Sequence, residues 1–191
     1  MNVILASSSQ YRRQLLNRLQ ISFSTLSPEI DETPLKNETP QMIAYRLSME
    51  KALCIAKTHP SAIVIGSDQC AELNGNIVNK PLTYDRAVEQ LRSASNNEMT
   101  FYTGLSVIYL EKDLQFTCVV ETRVKYKQLS DEIIFSYLNK DKPFDCAGSG
   151  KIESLGIALV EWVKSDDPSA LIGLPLIKTA DYLQLCGYPL F

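Results

Sequence analysis

The sequence predicts a mixed α/β fold, and three observations carry that prediction. Short apolar runs alternate with stretches of helical periodicity and show no internal repeat, the pattern that lays helices on a sheet. Two long strand-like stretches, near 99–110 and 115–127, are joined only by a polar turn at Glu111-Lys112-Asp113, so the sheet is not purely parallel. Apolar residues make up 45% and charged residues 21% of 191 positions, an ordinary globular balance with enough chain for a proper core.

The elements follow in order. Residues 3–7 read as a short buried strand, and 10–19 as a helix with Tyr11, Leu15, Leu16 and Leu19 on one side and Ser7 or Ser9 as its cap. The stretch ISFSTLSPEIDETPLKNETP begins as a strand and continues as a long polar loop. Thr39-Pro40 is an N-cap followed by a first-turn proline, opening a helix to about Lys57 with Ile43, Leu47 and Cys54 on its apolar stripe. SAIVIGSDQC reads as a strand running into Asp68, and Asn74-Gly75 as a hairpin turn. Helices are predicted over 83–94, over SDEIIFSYLNK with a serine cap, and over PLIKTADYLQLCG with Gly187 as the stop. CAGSGKIESLG reads as a glycine-rich loop and GIALVEWV as a strand. No linker is evident, and 1–191 is expected to form a single domain.

Bulk properties exclude several functions. A formal charge of −3 provides no global field for nucleic acid or an anionic membrane. The five cysteines (Cys54, Cys70, Cys118, Cys146 and Cys186) form no CxxC pair, which points to a reducing compartment. A single histidine, His59, rules out multi-histidine metal sites. No apolar run approaches the roughly 20 residues of a membrane span, and the N-terminus lacks a signal-peptide pattern, so a cytoplasmic location is expected.

Chemistry concentrates at a few places. Ser7, Ser8 and Ser9 lie between a strand and a helix that carries Arg12 and Arg13. Free N–H groups at a helix start, serine hydroxyls and a guanidinium fork together make an anion cradle, although a capped amphipathic helix with surface arginines accounts for the same residues. Asp68 ends an apolar strand, where acids face a ligand crevice or cap the next turn. Lys51 lies beside the apolar stripe of its helix, either snorkelling or countering charge, and Lys80 precedes Pro81 just after the hairpin. With Glu29, Asp31 and Glu32, these residues are the parts of a phosphoryl-type site.

The motifs SxSxxR (Ser7, Ser9, Arg12), PEIDET, RLSMEKA, GSDQ, NKP and AGS, in this order over essentially the whole chain, resemble the Maf nucleotide pyrophosphatases. That resemblance implies two lobes around a deep cleft, similar to the inosine triphosphate pyrophosphatases. It implies hydrolysis of a nucleoside triphosphate between its α and β phosphates, a divalent cation (Mg2+ or Mn2+), and in many members a homodimer. By position, Ser7, Ser9 and Arg12 would hold phosphates. Glu32, Lys51, Asp68 and Lys80 would form the catalytic and metal-binding set, with Glu32 and Asp68 as metal ligands; Asp68 as proton acceptor or chiefly as metal ligand stays open. Gln10 stands where many members have proline.

The resemblance also bears on the base. Tyr11, Gln69 and Glu153 look like the combination of the branch acting on 7-methyl-GTP, which usually has tryptophan in place of Tyr11. The dTTP/UTP branch instead has a basic residue, threonine and glutamine at these three positions. A carboxylate such as Glu153 can accept both guanine donors, N1–H and the 2-amino group, and a cationic methylated base favours an aromatic face. The expected function is removal of 7-methyl-GTP from the nucleotide pool. The alternatives are a dTTP/UTP pyrophosphatase and a nucleotide-binding regulator of cell division.

Overall fold

The computed structural model describes residues 1–191. Its strands are β1 (Asn2–Ala6), β2 (Ser24–Leu26), β3 (Ala62–Leu73), β4 (Asn76–Val78), β5 (Glu98–Tyr109), β6 (Leu114–Tyr126) and β7 (Val160–Ser165). Its α-helices are α1 (Gln10–Asn17), α2 (Pro40–Ala56), α3 (Tyr84–Ala94), α4 (Asp131–Asp141) and α5 (Leu176–Leu185). The hydrogen-bonded strand order is β2-β1-β3-β5-β6-β7, with β4 against β3. β1 runs parallel to both β2 and β3, whereas β4 and β7 are antiparallel to their neighbours, so the sheet is mixed.

The chain divides into two compact units. The first comprises 1–69, 102–120 and 167–191. Its strand β1 is buried on both faces, as a central parallel strand must be. Val3 and Leu5 join Leu15 and Leu16 of α1, Ile63, Ile65, Leu105, Val107 and Leu183 of α5 in one cluster. Ile4 and Ala6, of opposite parity, join Ala52, Ile55 and Ala56 of α2 with Val64 and Ile108 in another. The start of α5 is closed from a distance: Asp167 Oδ2 accepts the Ile177 N–H at 2.8 Å and Ser169 Oγ the Leu176 N–H at 2.7 Å. These bonds satisfy first-turn donors that Pro175, which has no capping side chain, leaves open.

The second unit comprises 70–101 and 121–166. α3 packs on α4, burying Val88 and Leu91 of one and Ile134 and Leu138 of the other. Asn74 and Gly75 both take positive φ (52° and 79°), as a two-residue hairpin turn between β3 and β4 requires. One expected strand is shorter than its apolar run: Leu155–Leu159 form a 3-10 turn, and β7 starts only at Val160. In the whole chain no helix is long and apolar enough to cross a membrane.

Candidate active site

Strand register brings the expected residues of the first unit to one level. Ala6, the last residue of β1, pairs with Leu26 of β2 and with Gly66 of β3. The chain therefore leaves β1 at Ser7, and β2 towards the 27–38 loop, level with Ser67 and Asp68. This is the carboxyl end of parallel strands, where α/β proteins collect ligand groups. The strand-end position expected for Asp68 is corrected, because β3 continues to Leu73 and Asp68 lies within it.

Glycines decide how α2 meets this level. A Cβ on Gly66 would stand 2.3 Å from the Ser48 carbonyl oxygen, and one on Gly104 2.0 Å from that of Ala44. Only glycine lets the helix backbone lie this close to β3 and β5. Side chains two apart on a strand share a face, so Asp68 points to the same side as Gly66 and meets the helix. There its Oδ1 accepts a hydrogen bond from Lys51 Nζ at 2.6 Å. Glu32 Oε1, from the 27–38 loop, takes the same ammonium at 2.7 Å. Lys51 and Asp68 are buried (7% and 8% exposed), so this lysine is enclosed between carboxylates and does not snorkel to solvent.

Ser67 and Gln69 have the opposite parity and serve the other face. The Ser67 hydroxyl lies 2.7 Å from the Gly104 carbonyl oxygen and 2.9 Å from that of Gly173. Arg12 Nε donates to the same Gly173 oxygen at 2.9 Å, and its Nη1 lies 3.4 Å from Ser7 Oγ. Gly173 has φ of +123°, a conformation that disfavours any side chain. Burial pulls the Arg12 pKa down, while the charges of Asp68 and Glu32 push it back up, so the guanidinium shares their electrostatic field. Ser9 caps α1 through the Arg12 N–H (3.4 Å), and Ser7 Oγ accepts the Ser9 N–H (3.1 Å), so both serines already order the strand-to-helix turn. Gln69 Nε2 donates to Thr103 Oγ1 and to the carbonyls of Ala170 and Leu171 at 3.0–3.1 Å, which commits its donor end to the protein.

Ser7, Ser9, Arg12, Glu32, Lys51 and Asp68 thus gather in the first unit. Tyr11 is half-buried on α1 and Gln69 half-buried on β3 in the same unit. Lys80, after β4, and Glu153, in a turn, are exposed residues of the second unit. Sequence reasoning missed Ser67 and Gly173, which bind Arg12 to the sheet, and Asp167 and Ser169, which anchor α5. The available signal was the polar run GSDQ, in which adjacent residues must face opposite sides.

No group of three or more His, Cys, Asp or Glu stands ready to hold a metal. Glu32 and Asp68 supply two carboxylates, with the Glu32 side chain 60% exposed. Mg2+ is commonly held by one or two carboxylates together with substrate phosphates and water, so this donor set fits a hard cation that arrives with its nucleotide.

These features define an α/β protein in which acidic and basic side chains of one compact unit are brought close together. The family model described as Maf-like protein matches residues 2–186. The chain belongs to the Maf family. It is 46% identical over 189 residues to a 7-methyl-GTP pyrophosphatase of Polaromonas sp., covering 99% of this chain and 86% of the relative. It is 48% identical over 185 residues to the protein of the same name from Nitrosospira multiformis, covering 97% and 93%. Looser likenesses of shape are to the Staphylococcus aureus Ham1 protein (TM-score 0.46, 16% identity, 66% of this chain and 71% of that one) and to a dITP/XTP pyrophosphatase of Mycobacterium abscessus (TM-score 0.43, 13% identity, 68% and 76%).

Proposed function

We propose that this protein hydrolyses 7-methyl-GTP between its α and β phosphates, giving 7-methyl-GMP and pyrophosphate, and so acts on the cytoplasmic nucleotide pool. The observation that carries this reading is the buried Lys51 ammonium held between Asp68 and Glu32, in the unit that also contains Arg12 and the Ser7–Ser9 turn. Nucleotide relatives at 46% and 48% identity over nearly the whole chain supply the reaction class.

Residue roles follow from charge and position. Arg12 and Lys51 offset the charge of the triphosphate, and the hydroxyls of Ser7 and Ser9 donate to phosphate oxygens. Asp68 accepts the proton of the water that attacks the α phosphorus. Glu32 and Asp68 would hold a divalent cation, Mg2+ or Mn2+, whose charge would offset that of the phosphates. Lys80, from the second unit, adds a further positive charge for the leaving pyrophosphate. Tyr11 offers an aromatic face to the cationic methylated base, and Glu153 accepts its two guanine donors. Since the Gln69 nitrogen is committed to Thr103 and two carbonyls, its carbonyl oxygen is the end that reads the base.

The test is pyrophosphate release by the purified protein with Mg2+ or Mn2+ from 7-methyl-GTP, GTP, UTP, dTTP and CTP. Preference for 7-methyl-GTP supports the reading. Preference for UTP or dTTP retains the reaction and overturns the base assignment. No release by folded protein overturns both, in favour of a nucleotide-binding regulator.

A further inference from the structure

Glu32 lies in a stretch without helix or strand between β2 and α2, yet its carboxylate reaches a buried ammonium at 2.7 Å. Holding an irregular segment this closely costs conformational entropy for every backbone residue ordered. The loop therefore needs anchors, and one side chain supplies most of them.

Arg46 of α2 spreads its guanidinium over the base of the loop. Its Nε and Nη2 bind the two carboxylate oxygens of Glu38 at 2.6 and 2.8 Å. Its Nη2 also donates to the Thr33 carbonyl at 3.2 Å, and its Nη1 to Glu50 Oε2 at 3.1 Å. Glu38 Oε2 in turn accepts the Leu35 N–H at 2.7 Å. On the other side of the turn, Asp31 Oδ1 accepts the Thr33 N–H at 2.9 Å. Both backbone polar groups of Thr33, the residue after Glu32, are thereby tied down. Arg46 precedes Lys51 on the same helix, about 7.5 Å along its axis, so the anchor and the target of Glu32 belong to one rigid element.

We propose that Arg46 is a positioning residue: by clamping Glu38 and Thr33 it sets the turn that presents Glu32 to Lys51. The planar guanidinium spreads its donors over three nitrogens in a fixed fork and so spans both Glu38 oxygens, the Thr33 carbonyl and Glu50; a lysine at this position keeps the charge but has one nitrogen and loses that span. The inference rests on the reading of Glu32, Lys51 and Asp68 as the reaction centre.

The experiment is a double-mutant cycle on 7-methyl-GTP hydrolysis with Arg46→Gln, Glu32→Gln and the pair, together with thermal midpoints and amide hydrogen exchange at Thr33. Misplacing a reacting group by about 1 Å can cost on the order of a hundredfold, so Arg46→Gln is expected to lower kcat at least about tenfold while KM moves less. Because the residue acts through Glu32, the same substitution adds less than about twofold in the Glu32→Gln background. Arg46→Lys does not rescue kcat. Glu38→Gln, which loosens the clamp from its other end, gives the same pattern should Arg46→Gln fold poorly. Thr33 exchange rises in both clamp variants.

Losses that multiply in the double variant, rescue by lysine, or unchanged Thr33 exchange overturn the proposal. If the wild-type protein releases no pyrophosphate, the site reading fails by itself. Thr33 exchange then decides the clamp alone: a rise in the Arg46→Gln protein supports it and no change overturns it.

Discussion

At the scale of single residues, the protein is organised by charges that are enclosed and matched. A lysine ammonium that leaves water needs partners, and Lys51 has two carboxylates within 2.7 Å. Arg46 does the same for Glu38, whose carboxyl is held down at about 2, chiefly by the hydrogen bonds from Arg46; burial opposes them, and the Leu35 N–H and the Arg46 charge add to the lowering. The sign follows from that direction. A carboxylate with a lowered folded-state pKa stabilises at pH above its ordinary value of 4.5, and that contribution is lost as pH falls through about 2. The clamp is therefore expected to persist through mild acid. A side-chain carbonyl NMR titration should place Glu38 near 2 in the wild-type protein and back towards 4.5 in Arg46→Gln; a Glu38 that titrates near 4.5 in both contradicts the clamp. Lys51 and Arg12 were legible in the sequence as residue types beside the right elements. Their partners were less so: Gly173 lies 161 positions from Arg12, and no local pattern reports such a contact.

Elements were the most readable level. Thr39-Pro40 marks the start of α2, and the Thr39 hydroxyl does cap it, 3.2 Å from the Met42 N–H. Asn74-Gly75 marks the hairpin because few other residue pairs accept positive φ twice. The GIALVEWV run misled at its start, since a short apolar stretch carries no period that separates strand from 3-10 turn. Gly156 belongs to that turn, where a Cβ would stand 2.5 Å from the Lys151 carbonyl oxygen, an approach a strand does not make. Gly66 and Gly104 were equally silent in the sequence, yet they set the distance between α2 and the sheet and with it the Lys51–Asp68 pair. Gly104→Ala would push a methyl against the Ala44 backbone, which cannot swing aside as a side chain can. Overpacking of this kind costs about 1–3 kcal/mol, so the urea midpoint should fall and turnover should drop with it. An unchanged midpoint would mean that α2 is free to retreat and that the close approach is not needed.

At the scale of the whole molecule, the family model spans 2–186 and takes in both compact units. Six of the expected site residues lie in the first unit, where β1 and β2 end level with Gly66, inside β3. The order of motifs along the chain identified them, and the strand register puts Ser7, after the end of β1, close in level to Ser67 and Asp68 of β3. Lys80 and Glu153 belong to the second unit, and their roles rest on the resemblance and on charge. The central claim is that the Lys51-centred cluster carries out hydrolysis, with Asp68 as the proton acceptor. Its most direct test is kcat for 7-methyl-GTP in Asp68→Asn, a change that keeps the shape of the side chain and leaves Lys51 its bond to Glu32. Loss of a general base lowers the rate about 10²–10⁴-fold, and that is the fall expected in kcat, read from protein whose cooperative thermal transition shows it to be folded at the assay temperature. An Asp68→Asn protein that turns over within about twofold of the wild-type rate would contradict the account, because the proton would then have another acceptor.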